Sequence, residues 1–247
     1  MINKSVVKYI QSLQHKKFRD EHRAFIAEGP KPVSELLEDG NFDCENIFCI
    51  QKGISFLSGK AAGRFKGKPN IIEDFELEKI SVLSTPNNIL AVFKQKPINI
   101  KPALSQKITL VLDDIQDPGN LGTIIRIADW FGVENIFCSP ATADCYNPKV
   151  VQSTMASLGR VNIVYGDIAQ VLKENPGIIK YAAVLGAENI KVLGKKKEGI
   201  IIIGNESKGI SAEVLKLADK KISIERMGAA ESLNAAVAAG IILFAVS

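Results

Sequence analysis

The sequence contains few of the residues that build metal and redox sites. Its 247 residues include only two histidines and four cysteines, and no two of the cysteines form a C-x-x-C pair. Zinc sites require Cys and His ligands at characteristic spacings, so the sequence predicts no metal site. We interpret the cysteines as the reduced thiols of a cytosolic protein.

Long apolar runs are also missing. The longest uncharged run covers residues 232–247, which is shorter than the roughly 20 apolar residues of a membrane-spanning helix. No apolar stretch with a small-residue cleavage site follows the first residue, so we expect no secretion signal and a cytoplasmic location. The run 232–247 is interpreted as a buried helix, in the core or against a second subunit.

The nucleotide-binding loops with the most specific signatures are absent. The sequence has neither G-x-G-x-x-G nor G-K-[ST], which weakens dinucleotide and P-loop interpretations. A generic nucleotide-binding α/β protein therefore remains an alternative, but the loop motifs that would be its main support are missing.

The excess of positive charge is small, but it is concentrated. Residues 1–105 carry 16 basic and 12 acidic side chains, whereas residues 106–247 carry 15 of each. Residues 59–68 contain three glycines, four basic residues and no acid. They predict a mobile basic loop that follows a phosphate backbone. The alternative is a solvated loop balanced by the acids that follow it, Glu73, Asp74, Glu76 and Glu78.

Short β-branched runs alternate with helical stretches after residue 106. The predicted strands cover residues 108–112, 135–138, 161–165, 181–185, 200–203 and 222–224. This alternation predicts an α/β domain with a parallel sheet and helices on both faces. The earlier part predicts a smaller mixed α/β domain with helices at 5–13 and 30–37 and strands at 24–27, 46–50 and 88–93. We expect domains at 1–96 and 107–247, with the proline-containing segment 97–106 as linker.

A Pro-Gly turn follows the strand predicted at 108–112 and opens a helix. Apolar residues recur along that helix as one stripe, Leu121, Ile124, Ile125 and Ala128. Arg126 projects off the stripe. Free N–H groups at a helix start attract anions, and ligands favour the carboxyl ends of parallel strands. The structural alternative is a turn in which Asn120 caps the helix and Arg126 pairs with Asp129.

Two further segments combine polar residues with a change of backbone direction. Gly204-Asn205-Glu206-Ser207-Lys208-Gly209 follows an isoleucine-rich strand, and its glycines permit a flat ligand to approach the main chain. Its structural alternative is an ordinary turn. Ser232-Leu233-Asn234 stands before the apolar run, where the structural alternative for Ser232 is a helix N-cap.

Taken in order, the three segments resemble the signature motifs of the SpoU (TrmH) family of RNA ribose methyltransferases in the SPOUT superfamily. The matching residues are Asn120-x-Gly122-x-x-x-Arg126, Gly204-x-Glu206 with Gly209, and Ser232-Leu233-Asn234. Residues 8–37, with Leu13-x-x-Lys16-Lys17-x-Arg19 and Phe25-x-x-Glu28-Gly29, are similar to the substrate-binding domain that many members carry.

The resemblance implies a methyl transfer from S-adenosylmethionine to a ribose 2′-hydroxyl of RNA. It also implies a trefoil knot at the C-terminal end of the α/β domain and a homodimer formed through that domain. By matching position, the catalytic residues would be Asn120, Arg126, Glu206, Ser232 and Asn234. The donor would be bound by Gly204, Asn205, Ile224 and Leu233. The basic residues expected to contact RNA are Lys16, Lys17, Arg19, Lys60, Arg64, Lys66 and Lys68.

Arg126 corresponds to the essential arginine of the family. Because arginine stays protonated, we favour phosphate clamping and a lowered hydroxyl pKa over general-base action. Glu206 is expected to orient Arg126 or its own loop. One departure concerns Ile224-Glu225-Arg226-Met227, where members commonly have Ile-Pro-Met; Arg226 then faces RNA or pairs with Glu225 or Glu231.

Three other functions compete with ribose methylation. A knotted RNA-binding protein that lost catalysis is the main alternative, and the complete set of motif residues argues against it. A generic nucleotide-binding α/β protein is the second, which the missing phosphate-loop motifs weaken. Base methylation is the third, and the asparagine-arginine motif resembles the ribose-modifying branch instead. The separate N-terminal domain favours rRNA over tRNA as the substrate.

Overall fold

The computed structural model describes residues 2–96 and 104–247. These residues form two units. The first combines the chain up to residue 96 with Asp144–Arg160, and the second combines residues 104–143 with Val161–Ser247. The predicted linker, 97–106, lies largely outside the described residues. The excursion Asp144–Arg160 belongs to the first unit, which nothing in the sequence indicated.

Both units contain helices and strands. In chain order the strands are β1 (Ala24–Glu28), β2 (Cys44–Cys49), β3 (Asn70–Ile71), β4 (Ile89–Lys94), β5 (Ile108–Asp113), β6 (Asn135–Cys138), β7 (Asn162–Tyr165), β8 (Lys180–Asn189), β9 (Gly199–Gly204) and β10 (Lys220–Ser223). The α-helices are α1 (Lys4–Ser12), α2 (Lys16–His22), α3 (Pro30–Asp39), α4 (Gly59–Arg64), α5 (Asp74–Ile80), α6 (Pro118–Trp130), α7 (Pro148–Thr154), α8 (Ile168–Glu174), α9 (Ala212–Leu215) and α10 (Ala235–Val246).

The first unit is built on a mixed sheet of order β1-β4-β2-β3. Strand β4 runs antiparallel to β1 and β2, and β2 pairs with β3 in parallel. One side of the unit contains an aromatic cluster in which Phe25 contacts Phe42, Phe93 and Tyr146 with ring centroids 4.9 to 5.6 Å apart. Tyr146 lies on the excursion, so residues distant in sequence complete this core.

Arg19 is buried in the first unit, with 1% of its surface exposed. Its Nη2 lies 2.6 Å from Asp144 Oδ2, and its Nη1 donates to the carbonyls of Leu13 and Gln14. A buried cation needs such partners, because an unpaired charge away from water is costly. The expectation that Arg19 contacts RNA is therefore wrong, and its role is to fix the excursion to α2.

The basic segment 59–68 is not the continuous loop that we predicted. Residues Gly59–Arg64 form α4. The Arg64 guanidinium lies against Gly40, where a Cβ would come within 2.7 Å of Nη1. Gly40 ends α3 with a positive φ, so Arg64 places its charge at a helix C-terminus, where the helix dipole favours a cation.

The acids after this segment do not neutralise it. Glu73 and Glu76 form the capping box of α5, and Glu76 also accepts from the backbone N–H of Ile2. Within residues 2–96 and 104–247, no ion pair involves the segment's basic residues, Lys60, Arg64, Lys66 and Lys68.

The second unit contains the predicted parallel sheet, with strand order β10-β8-β9-β5-β6-β7. The apolar strand β9 is central and pairs with β5 over its whole length, from Ile108 opposite Gly199 to Asp113 opposite Gly204. Its isoleucines are buried on both faces, as expected for a strand covered by helices. The ends of β5 and β9 therefore reach the same edge of the sheet side by side.

The part of the chain that the structure describes contains no membrane-spanning helix, no metal-binding cluster and no disulfide. No helix there is both long and apolar enough to cross a membrane. No cluster of three His, Cys, Asp or Glu side chains there could hold a metal ion. The four cysteines are free thiols.

Candidate active site

The first motif forms the start of α6, after the carboxyl end of β5. Asp117 caps the helix, because its side chain accepts from the backbone N–H of Asn120 at 2.8 Å, and Pro118 fills the first turn. Asn120 therefore is not the cap, and its side chain is available for other contacts. Arg126 lies exposed on α6 and, among the described residues, has no ion pair with Asp129 or any other acid.

The second motif is a tight loop after β9. Gly204 has no space for a side chain, since a Cβ there would lie 2.3 Å from the carbonyl carbon of Gly209. The backbone of Asn205 exchanges two hydrogen bonds with Gly209, at 3.0 and 2.9 Å. Gly209 has a φ of +69°, a conformation that glycine adopts without strain.

Asn205 holds this loop closed with its own side chain. Its Oδ1 accepts from the backbone N–H groups of Ser207 and Lys208, and its Nδ2 donates to the carbonyl of Asp114 at 2.8 Å. Asp113 adds a further tie by accepting from the N–H of Ser211. The second loop is thus fastened to the end of β5.

The third motif provides the N-cap of α10. Asn234 is the cap, and its Oδ1 accepts from the N–H groups of Ala236 and Val237 at 2.9 and 3.2 Å. Ser232 lies two residues earlier and is exposed, so the alternative in which Ser232 caps the helix is wrong. Within the described residues the Ser232 hydroxyl has no hydrogen bond, which leaves it free for a ligand.

A chain of side-chain hydrogen bonds joins the three motifs. Asn234 Nδ2 donates to Asn120 Oδ1 at 2.8 Å, and Asn120 Nδ2 donates to Glu206 Oε1 at 2.6 Å. Asn120 therefore lies between the other two and orients both. Of the two roles expected for Glu206, orientation of Arg126 is not met, because its hydrogen bond is to Asn120, while orientation of its own loop stays a prediction. The second bond is charge-assisted, which makes it the stronger of the pair.

A cavity of about 530 Å³ lies beside this chain. Its volume falls in the range of roughly 300 to 1,000 Å³ that is typical of small-molecule sites. All four residues expected to bind the donor line it, Gly204, Asn205, Ile224 and Leu233. Glu206 and Ser232 line it too, whereas Asn120, Arg126 and Asn234 do not.

Sequence reasoning missed much of the cavity's apolar lining. These residues come from β8, from the loop after β9 and from one side of α10, and include Ala183, Val184, Leu185, Ile210, Ala238 and Ile242. Leu185 is 70% exposed. It lies in a predicted core strand and lines the cavity, and only the structure reveals that exposure.

The departure from Ile-Pro-Met has a defined structure. Glu225 accepts from Asn189 Nδ2 and Lys191 Nζ, and the hydrogen bond from Lys191 is the main cause that lowers the pKa of the Glu225 carboxyl. Arg226 lines the cavity and, in the part of the chain described, pairs with neither Glu225 nor Glu231. Both structural alternatives for Arg226 are thereby removed.

Six of the seven residues expected to contact RNA are exposed on the first unit. Lys16 and Lys17 begin α2, while Lys60, Arg64, Lys66 and Lys68 lie on and after α4. Arg19 is the exception described above. Their exposure makes these cations available to a polyanion.

Comparison with known proteins identifies the family of this arrangement. Residues 107–244, which contain all three motifs, match the model of the SpoU rRNA Methylase family. The chain belongs to the SpoU rRNA methylase family. Residues 4–91 match the MRM3-like substrate binding domain. The family predicted from the motifs is thereby confirmed.

Relatives of similar length support this assignment. The chain is 29% identical to the 23S rRNA (guanosine(2553)-2′-O)-methyltransferase RlmP of Bacillus subtilis, covering 96% of this chain and 94% of the relative. A solved TrmH-family RNA methyltransferase structure from Porphyromonas gingivalis is 32% identical, with a TM-score of 0.87 and coverage of 99% and 97%. An AdoMet-bound rRNA methyltransferase from Sinorhizobium meliloti is 29% identical, with a TM-score of 0.85 and coverage of 99% and 94%. The predicted α/β sheet and smaller mixed domain are thereby confirmed.

Proposed function

We propose that this SpoU family member transfers a methyl group from S-adenosylmethionine to a ribose 2′-hydroxyl of rRNA. The observation that carries the proposal is the hydrogen-bond chain Asn234–Asn120–Glu206 beside a cavity of about 530 Å³. The family match and the AdoMet-bound relative confirm the expected enzyme class and donor. The ribose 2′-hydroxyl as acceptor and rRNA as the RNA class are part of the proposal.

The cavity suits a donor that combines a flat base with charged and polar groups. Gly204 and Gly209 both line its wall, and because Gly204 has no side chain their backbones pack closely there, where backbone groups would hold an adenine ring. Ile224 and Leu233 would provide apolar contact, and the Asn205 side chain would keep the loop closed rather than touch the ligand. The donor supplies an electrophilic methyl group bound to a sulfonium.

The protein's own task is to position and activate the hydroxyl. A ribose hydroxyl is a poor nucleophile at neutral pH, so orientation and charge placement must lower the barrier. Arg126 is exposed and free of a described acidic partner, so its guanidinium can clamp a phosphate and stabilise the developing alkoxide. Ser232, Asn234 and Asn120 would complete a polar frame around the ribose.

We also propose that the second unit is knotted and forms a homodimer. The loops after β9 and β10 both line the cavity, and α10 packs against α6 and β9. This arrangement supports a knot in which the C-terminal helix passes behind these two loops. Helix α10 is apolar on all sides, and its side chains Val237, Ile241 and Phe244 are exposed. Trp130, at the end of the neighbouring helix α6, is 84% exposed. An apolar surface of this kind marks an interface.

RNA binding is assigned to residues 1–96 and methyl transfer to residues 107–247. The exposed cations of the first unit and its match to a substrate binding domain support this division. The relative from Bacillus subtilis is named for 23S rRNA, which favours rRNA over tRNA here. A cytoplasmic location is proposed with it, from the similarity to this bacterial relative.

The test measures donor binding and methyl transfer separately. Calorimetry should show binding of S-adenosylmethionine, and mapping of 2′-O-methyl sites in total RNA, with and without the gene, should show a lost rRNA site. Methyl loss confined to tRNA would contradict the rRNA assignment. No binding at millimolar donor would favour the silent RNA-binding alternative.

Arg126→Ala should lower kcat/KM about 100-fold or more, the scale of removing one group that stabilises transition-state charge. Its affinity for the donor should stay within about twofold of wild type, because Arg126 does not line the cavity. Lys173→Ala, which changes an exposed cation on α8, is the matched control. Normal methyl transfer by Arg126→Ala would exclude the assigned role.

A further inference from the structure

One wall of the cavity is formed by a segment with little support of its own. Residues 225–233, between β10 and α10, contain no helix or strand and are exposed. All of them except Ala229 line the cavity. Among the described residues, the only hydrogen bonds or ion pairs that tie this segment to other parts of the chain are made by the Glu225 carboxylate.

The partners of Glu225, Asn189 and Lys191, lie at the end of strand β8, which is paired with β10. Asn189 Nδ2 and Lys191 Nζ both donate to Glu225 Oε2, at 3.0 and 3.1 Å. Asn189 also accepts from the Lys191 backbone N–H, so its amide joins both other members of the cluster. Asn189 ends β8 opposite Ser223 of β10, and the adjacent Ile190 is buried. The cluster therefore connects a firmly packed turn to the start of an unsupported segment.

A ligand that contacts a loosely held segment must order it, and that cost weakens the observed affinity. A tether that already holds the segment in place removes part of the cost. Both side chains of the ion pair are exposed, 77% for Lys191 and 47% for Glu225, so water and salt screen the pair and its contribution is modest.

We propose that Glu225 is a positioning residue that holds segment 225–233 against the donor cavity through Asn189 and Lys191. Donor affinity, and not the transfer step, then depends on this cluster. The inference rests on the proposed function, since S-adenosylmethionine is the ligand whose affinity is at issue. Glu225 acts through the position of residues such as Leu233, without a requirement to touch the donor itself.

The experiment compares Glu225→Ala, Lys191→Glu and the charge-exchanged pair Lys191→Glu with Glu225→Lys. The two single variants should raise the Kd for S-adenosylmethionine about threefold to fivefold by calorimetry, the range that loss of an exposed ion pair allows. The exchanged pair should recover most of the affinity. In steady-state methyl transfer, KM for the donor should rise while kcat stays within about twofold.

Glu213→Ala is the matched control, because it removes another exposed ion pair of the same unit, Glu213 with Lys173, away from the cavity. A Kd for Glu225→Ala equal to that of the control would overturn the proposal, as would an exchanged pair no better than Lys191→Glu alone. A fall in kcat without a change in KM would show a catalytic role instead. Absence of donor binding by the wild-type protein would refute the proposed function itself, before any variant is compared.

Discussion

Gly204 provides the sharpest test of how the second motif forms the cavity. A Cβ at this position would lie 2.3, 2.4 and 2.6 Å from Gly209 C, Ile210 N and Gly209 O. These atoms are backbone, which cannot rotate away as the end of a side chain can. To restore an ordinary contact of about 3.4 Å, the loop must move by about 1 Å, as expected when a close-packed site is overfilled.

Gly204→Ala should therefore lower the free energy of unfolding by about 2 to 3 kcal/mol. Overpacking of this kind costs about 1 to 3 kcal/mol. The two hydrogen bonds between Asn205 and Gly209 would be strained by the same movement, and each contributes about 0.5 to 1.5 kcal/mol. Because Asn205, Glu206 and Gly209 line the cavity, the Kd for S-adenosylmethionine should rise at least about tenfold, which corresponds to about 1.4 kcal/mol.

Urea unfolding and donor calorimetry measure the two effects. Gly166→Ala is the matched control: Gly166 follows β7 in the same unit, has an ordinary φ, and a Cβ there would meet no atom within 4 Å. The control should change both quantities little. If Gly204→Ala bound the donor as tightly as Gly166→Ala, the tight loop would not shape the donor site.

Two further predictions concern the first unit. Replacing the four basic side chains of segment 59–68 with Gln, at Lys60, Arg64, Lys66 and Lys68, should weaken RNA binding. It should also reduce the slope of log K against log salt by up to about 3.6, since each phosphate contact contributes about 0.7 to 0.9. An unchanged slope in a filter-binding titration would show that these residues do not contact RNA. Asp144→Asn should lower the free energy of unfolding by about 3 kcal/mol, because it leaves the buried Arg19 without its counter-charge. Glu213→Gln, at an exposed pair, should cost less than about 1 kcal/mol in the same denaturation series.

Strands whose pattern is contained in a short stretch of sequence were predicted well. The isoleucines of β9 form an unbroken apolar run, and a strand buried on both faces has no polar side to expose, so residues 200–203 predicted β9 with one further residue at each end. The strand at 135–138 was predicted with its observed bounds. The prediction of a loop over segment 59–68 was wrong at Gly59–Arg64. Its three glycines suggested a loop, whereas contacts with α3 stabilise a short helix at these residues.

Contacts between distant residues were beyond sequence reasoning. Asn120 and Glu206 are separated by 86 positions, and nothing in either motif shows that their side chains meet. Arg19 was grouped with Lys16 and Lys17 by charge alone, although its partner Asp144 stands 125 residues later. Charge patterns predict how many cations a segment carries, but burial decides which of them reach the solvent.

The excursion Asp144–Arg160 also sets an order of events during synthesis. Chains leave the ribosome N-terminus first, at about 5 to 20 residues per second, so the 125 residues between Arg19 and Asp144 take roughly 6 to 25 seconds to make. During that interval Arg19 lacks its carboxylate and Phe25 lacks the Tyr146 ring. The first part of the chain to appear thus waits for a later one before its core closes, and a fragment that stops at residue 96 would lack this closure.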